Sequence, residues 1–454
     1  MISIFLLIAG LTVYLLKSLD FIYLFQTKEY RVDRIMSFLN EENFLSLLYF
    51  RKIRMPGISL RNLLITQIIF LNSLLFTFFL LNQSQLNLLI FLLLTPPTAF
   101  LTMLLGVFIS EIPVQIYRKK IIQQAKIKVA ASDTVFIGIT GSYGKTSTKE
   151  FLYQILSQKY KVAKTDKNNN SEIGVAISIL KNLKPDTEYF IAELGAYRKG
   201  EIKATRELIH PKYGILTGIG NQHLGLFGSK ENLLQAKAEL LESLAKEGIA
   251  YINKDIKEWK YFADKTRVKK VFYSIKNLPF EIKTNLPGKH NLQNLLPCIA
   301  LASHLGITKE QIQRVLINLK PVAGRLSFDK GINGSTILND SYNSNIEGFS
   351  SAIETAQILK NFSKKLIMSR GLIELGVEKK QSYQTIINIL YKTDLTLITT
   401  DNLFKSLDTK NKVRLFNNES LILNYIKEVM DNKTLLVVEG RFEPDTLHIL
   451  FANN

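Results

Sequence analysis

The sequence predicts an α/β protein with N-terminal transmembrane helices followed by two soluble sheet domains. Three observations lead there. Long apolar runs fill the first hundred or so residues and then stop. From about Thr134 onward, short apolar strands alternate with helical runs, the pattern of layered α/β proteins. Between the first of these strands and its helix lies a glycine-rich turn, Gly138 to Glu150, reading GITGSYGKTSTKE. A chain of 454 residues can hold two or three domains. We place them at residues 1–115, 116–320 and 321–454.

The first domain is a membrane region of about three helices. Ile2 to Leu16 is apolar, and the run continues less strictly past Lys17 and Asp20 to Phe25. Leu63 to Leu81 and Leu86 to Ile109 follow, the latter carrying Pro96-Pro97, which should kink or split a helix. A bilayer crossing takes about 20 apolar residues. The first run could instead be a signal peptide, but it lacks a basic start and a clear small-residue cleavage site. Basic residues flank the spans unevenly. Arg31, Arg34, Arg51, Lys52 and Arg54 lie between the first two, and Arg118, Lys119 and Lys120 follow the last, whereas Asn82 to Gln85 carries no charge. By the positive-inside rule this is a multi-pass protein of the cytoplasmic (inner) membrane, with its N-terminus outside and its soluble domains in the cytoplasm.

The turn at residues 138–150 makes the central domain P-loop ATPase-like. Val135, Phe136, Ile137 and Ile139 form the strand before it, and Phe151, Leu152, Ile155 and Leu156 the apolar face of the helix after it. Backbone N–H groups and the positive helix end converge there, Lys145 adds a mobile cation, and the Thr146 hydroxyl can hold Mg²⁺. Strict Walker spacing would put a glycine where Ile139 stands, leaving Thr140-Gly141-x-x-Gly144-Lys145-Thr146. The expected ligand is a nucleoside triphosphate, contacted by Gly141, Ser142, Tyr143, Gly144, Lys145, Thr146 and Ser147. Further strands are expected at Tyr189 to Glu193, Tyr213 to Thr217 and Ala250 to Asn253. After the hinge-like Lys320-Pro321-Val322-Ala323-Gly324, a second series begins: Thr336 to Asn339, Lys365 to Met368, Leu395 to Thr399, Val413 to Phe416 and Leu435 to Val438.

Net charge is +19, from 58 basic and 39 acidic residues. Nucleic acid is discounted as a partner because the lysines and arginines are scattered and no reader motif stands out. A bilayer and phosphate ligands account for the excess as well. The single cysteine, Cys298, excludes an internal disulfide and lies in an apolar run suited to a core thiol.

Read together, several stretches resemble the Mur ligases, the ATP-dependent enzymes that add amino acids to the peptidoglycan stem. They are the turn itself, NNNSEIG (Asn168 to Gly174), AELGAYRKGEI (Ala192 to Ile202), LTGIGNQHLGLFGSKENLLQAKAEL (Leu216 to Leu240), GKHNLQN (Gly288 to Asn294), GRL (Gly324 to Leu326) and NDSYNSN (Asn339 to Asn345). The similarity covers roughly residues 130 to 454 and is strongest to the MurF branch. It implies a Rossmann-like C-terminal α/β domain and the cofactors ATP and Mg²⁺. It also implies a carboxylate activated as an acyl phosphate and then attacked by an amine. Lys145 would hold the β- and γ-phosphates. Thr146, Glu193, His223 and a carbamylated Lys237 would serve the metal sites, and Asn170 and Ser171 would meet substrate. Asn291 and Asn294 would reach the adenine, Arg325 the phosphates on domain closure, and Asp340 the ribose. Tyr342 would pack on the nucleotide. Lys145, Lys237, His223 and Arg325 make up the catalytic set.

Two departures remain. The membrane segment stands where a soluble MurF enzyme has its UDP-sugar domain. Glu439-Gly440-Arg441 stands where the family has Lys-Gly-Ser, and GLIELG (Gly371 to Gly376) is only similar to the family stretch. The expected function is a membrane-anchored ligase of cell-wall precursor synthesis, joining D-Ala-D-Ala or a similar amino acid or dipeptide to a muramyl peptide. Three alternatives stay open. The carboxylate could be lipid-linked, the substrate could be a folate or capsule polyglutamate, or the chain could be a non-catalytic ATP-binding scaffold.

Overall fold

The computed structural model describes residues 2–41, 44–50, 53–81, 83–166, 169–220, 227–342, 345–372 and 379–451. The chain divides into two units, residues 1–123 and 124–454.

The first unit is helical: α1 (Ile2–Thr27), α2 (Val32–Glu41), α3 (Phe44–Tyr49), α4 (Leu60–Leu80) and α5 (Gln85–Ala130), which runs on past residue 123. α1, α4 and α5 are long and apolar enough to cross a membrane. Their shared core is aromatic and aliphatic, with Tyr14, Phe21, Phe25, Ile65, Phe100 and Met103 buried. Phe70, Leu71, Phe78, Leu101 and Phe108 point outward, an apolar surface suited to hydrocarbon rather than water.

Of the kink or split expected at Pro96 and Pro97, the split does not occur, and α5 runs through both. Each proline deprives the carbonyl four residues earlier of its amide partner, and a hydroxyl replaces it in both cases. Thr95 Oγ1 donates to the Leu92 carbonyl at 2.7 Å, and Tyr49 Oη from α3 donates to the Leu93 carbonyl at 3.0 Å.

Polar side chains gather at one end of the bundle. Gly57 N–H donates to Gln26 Oε1 at 2.7 Å, and Asn62 Nδ2 donates to the Gly57 carbonyl at 2.6 Å. Arg61 lies over the Tyr30 ring and pairs with Glu111 at 2.7 Å. The Arg54 N–H reaches the buried Asp20 at 3.1 Å.

The second unit holds two six-stranded sheets. Strands β1 (Val135–Thr140), β2 (Val162–Lys164), β3 (Tyr189–Glu193), β4 (Tyr213–Leu216), β5 (Ile249–Asn253) and β6 (Lys269–Tyr273) are all parallel, in the order β2-β3-β1-β4-β5-β6. The order reverses about β1, so its C-terminal end opens onto the crevice where ligands of open α/β sheets bind. Helices 145–156 and 289–304 cover one face, burying Phe151, Leu152, Ile155, Leu295 and Ile299 with β1 and β5. Cys298 is buried among them, its Sγ 3.3 Å from the Thr148 carbonyl.

The other sheet runs β11-β10-β9-β12-β8-β7, from β7 (Ser327–Lys330), β8 (Thr336–Asp340), β9 (Lys364–Ser369), β10 (Thr396–Thr399), β11 (Val413–Leu415) and β12 (Thr434–Glu439). Only β7 is antiparallel. β12 is buried along its full length, as a central strand covered on both faces should be. The connection at Lys320 is tied to the phosphate-turn helix by reciprocal bonds, Lys320 N–H to Gln154 Oε1 at 3.0 Å and Gln154 Nε2 to the Lys320 carbonyl at 3.2 Å.

Candidate functional site at the phosphate turn

β1 ends at Thr140 and the chain turns through Gly141, φ +150°, and Gly144, φ +83°, before the helix begins at Lys145. Both glycines are required. A Cβ at Gly141 would collide with the Thr217 hydroxyl, and one at Gly144 with the Asn294 amide oxygen. The turn is pinned from the end of β4. Ser142 N–H donates to the Gly218 carbonyl at 2.7 Å, Tyr143 and Gly218 form an antiparallel bridge, and Thr217 Oγ1 donates to the Tyr143 carbonyl at 2.6 Å. Ser142 Oγ reaches the Gly220 carbonyl at 3.2 Å. Lys145 Nζ folds back onto the loop, donating to the Gly141 and Ser142 carbonyls at 2.8 and 3.0 Å. Burial pulls its pKa down to about 8, opposed by Glu193 and assisted by Arg325.

Glu193, at the end of β3, faces this turn and is almost fully buried. Asn170 Nδ2 donates to its Oε1 at 3.2 Å, and Thr165 Oγ1 accepts its backbone N–H at 3.1 Å. Burial works to raise its pKa. Lys149 and Lys145, with hydrogen bonds from Asn170 and Thr146, outweigh that and hold it below the ordinary value. Lys237, near the end of helix 230–238, is equally buried, its ammonium 5.7 Å from the Phe227 ring centre. Burial first and Lys145 second lower its pKa to about 7, against the pull of Glu201, Glu239 and Glu193. About half of it is therefore neutral amine at pH 7, against almost none for an ordinary lysine.

The second sheet contributes from the ends of its strands. Asp340 closes β8 opposite Glu439 on β12. Burial raises Asp340 to about 6, while the Arg325 guanidinium holds it down. The Arg325 guanidinium lies 4.1 Å from the Tyr342 ring centre, and the Arg441 Nε donates to the Tyr342 carbonyl at 3.1 Å. Arg325 also feels Glu193 and acts on Lys145, so both sheets meet electrostatically at the turn. Glu347, which opens helix 346–358, would touch a Cβ placed at Gly220.

Not every predicted residue has a free side chain at the turn. Asn294 lies against Gly144 at the cradle itself. Asn291 donates its amide to the Pro287 carbonyl at 2.8 Å, a bond within its own helix start. Ser171 caps helix 172–182, accepting from Gly174 N–H at 3.3 Å. Ser147 is buried in the first turn of its helix. His223 lies outside the described residues, as do Asn343 and residues 373–376 of GLIELG. Lys149, Thr217, Gly218 and Glu347 were not singled out by sequence reasoning. Lys149 carries a signal in hindsight, since it follows Lys145 by four positions and shares its helix face.

Two oxygen donors of the kind a hard cation takes lie here, the Thr146 hydroxyl and the Glu193 carboxylate. Among the described residues no three His, Cys, Asp or Glu side chains group to hold a metal ion by themselves. The fold and the turn thus define a phosphate-binding α/β protein whose two sheets meet over one cradle.

Comparison with known proteins narrows the class. The Mur ligase middle domain family matches residues 139–279. The chain is 31% identical over 343 residues to the UDP-N-acetylmuramoyl-tripeptide--D-alanyl-D-alanine ligase of Buchnera aphidicola, covering 69% of this chain and 74% of that one. The ligases of that name from Bacillus subtilis and Escherichia coli are 30% and 31% identical, over 56% and 54% of this chain. In those two alignments the chain spans only 60% and 59% of the relative's length. Among solved structures, MurF from Acinetobacter baumannii superposes with a TM-score of 0.64 at 23% identity, covering 71% of this chain and 77% of that one. MurF ligase from Thermotoga maritima in complex with ADP gives 0.65 at 22%, covering 73% and 82%. These two likenesses establish the fold. The chain belongs to the Mur ligase family, in its MurF branch.

Proposed function

We propose that the chain is an ATP-dependent acid–amine ligase of peptidoglycan precursor synthesis. It would join D-Ala-D-Ala, or a similar amine, to a muramyl peptide. The observation that carries this reading is the convergence of Lys145, Lys237, Glu193 and Arg325 on one glycine turn. Magnesium-ATP would supply the phosphoryl group that converts the carboxylate into an acyl phosphate and so makes it open to attack by the amine. Each residue has a task the geometry supports. The N–H groups around Gly141 and Gly144 seat phosphate oxygens, and Lys145 exchanges its loop carbonyls for them. Thr146 and Glu193 would hold the cation. Lys237, with about half of its amine neutral at pH 7, would take up CO₂ as a carbamate and become an oxygen donor. His223 would complete that site by resemblance. Arg325, stacked on Tyr342 beside Asp340, would answer phosphate charge from the second sheet. Asn294 would face the base.

We further propose a multi-pass anchor in the cytoplasmic membrane, with the N-terminus outside. The polar end of the bundle supports it: Gln26, Arg54, Arg61 and Glu111 mark the same end of all three spans, whereas residues 83–85 at the other end carry no charge. The apolar unit also favours a carboxylate substrate presented at the bilayer, as a lipid-linked muramyl peptide would be.

One experiment tests the reading. The full chain is incubated with Mg-ATP, D-Ala-D-Ala and either a UDP-linked or a lipid-linked muramyl peptide, and products are found by mass. Lys145→Ala should abolish product and leave membrane insertion intact. Turnover near the parent rate would remove the cradle from the mechanism. Equal use of both acceptors would remove the bilayer preference.

A further inference from the structure

Lys149 sits one helical turn beyond Lys145 with none of its surface exposed. Its ammonium lies 3.5 Å from Glu193 Oε2 and 3.6 Å from Glu150 Oε1, and it makes no hydrogen bond. An ammonium without hydrogen bonds is costly to bury, and a methionine would fill the same space without that penalty. Its charge therefore has a purpose at this position. Glu150 is already paired with Lys164 on β2, so Glu193 is the carboxylate left for Lys149 to neutralise. Glu193 is thus faced by two lysines, with Asn170 on its other oxygen.

We infer that Lys149 is a positioning residue that cancels the charge of Glu193, so that a divalent cation settles there only together with nucleotide phosphates. This rests on the reading of Glu193 as a cation ligand. One carboxylate opposed by two ammonium groups is no cation site, and no all-protein cage of acid, histidine or cysteine groups exists among the described residues. When phosphates occupy the cradle, Lys145 answers them and their own oxygens add negative charge. The balance at Glu193 then turns in favour of a cation. Nucleotide and metal would arrive as one complex, and the protein alone would not collect free cations.

The test is Mn²⁺ binding to the full-length protein in detergent, read by electron paramagnetic resonance without nucleotide. ADP binding in the presence of a chelator serves as the check on folding and on the cradle. Wild type and K149R should hold no Mn²⁺ tightly. K149M should bind it about tenfold more tightly or better, the effect expected from removing one unit charge beside a carboxylate. K149M/E193Q should lose that gain. A K149M protein that binds ADP but matches wild type toward Mn²⁺ overturns the inference, and so does a gain that survives E193Q. If wild type fails to bind ADP, the nucleotide reading itself fails and this one falls with it.

Discussion

Lys145 gives the sharpest quantitative test of the cradle. Its ammonium is held by two loop carbonyls, and burial has drawn its pKa from 10.5 to about 8. Burial disfavours the charged form, whereas a bound triphosphate favours it. Nucleotide binding should therefore return the pKa toward its ordinary value and take up a proton. At pH 9 a group of pKa 8 is about 10% protonated, and one restored to 10.5 is above about 90%, so roughly 0.8 to 0.9 proton is absorbed per nucleotide. At pH 7 the uptake falls to about 0.1. Affinity should decline up to about tenfold per pH unit above pH 8, for a total linkage of roughly 3 kcal/mol. Calorimetry in two buffers of different ionisation enthalpy measures the uptake directly. At pH 9 the phosphates are fully ionised and add no protons of their own. Uptake that stays near zero at pH 9, or persists in Lys145→Met, would refute the argument.

Further outcomes are expected. Gly144→Ala should lose nucleotide binding, because a side chain in the left-handed region costs about 1–2 kcal/mol and its Cβ also strikes Asn294. Gly200→Ala, at φ +93° with open space around it, should show the backbone cost alone in thermal unfolding and keep its nucleotide. Turnover should fall as pH drops through about 7, where Lys237 becomes protonated and can no longer form a carbamate. Stripping CO₂ should lower the rate at pH 8, with bicarbonate restoring it and Lys237→Met insensitive to both. Tyr49→Phe and Thr95→Val each leave one proline-freed carbonyl unpaired and should lower stability in bicelles by about 0.5–1.5 kcal/mol.

Much of this was legible beforehand. Hydropathy located all three long helices, and the apolar runs located β1, β3, β4 and β5, because strands buried on both faces leave continuous apolar sequence. β2 and β6 escaped for the opposite reason. Val162–Lys164 and Lys269–Tyr273 are edge strands, short or lysine-led, with little apolar pattern to detect. β7 escaped because it follows the hinge directly. The unbroken α5 was illegible since its continuity depends on Tyr49, some 44 residues away from the carbonyl it serves. At the site, Lys145 and Glu193 were singled out by chemistry and resemblance together, and Lys237 and Arg325 by resemblance alone, since a lysine in a helical run reads as exposed. Lys149 was not, since a lysine in a helix ordinarily faces water, and only the fold shows it enclosed beside Glu193.

The bridge between Tyr143 and Gly218 means that half of the cradle is written elsewhere in the chain. A graft of residues 138–150 into a foreign scaffold would carry the recognisable motif without the scaffolding at Thr217 and Gly218 that gives it shape. Such a transplant should stay slack and wait on its guest for order, and each visit would then be weaker. Conversely, a change at position 218 would cripple a nucleotide pocket that no inspection of the signature would connect with it.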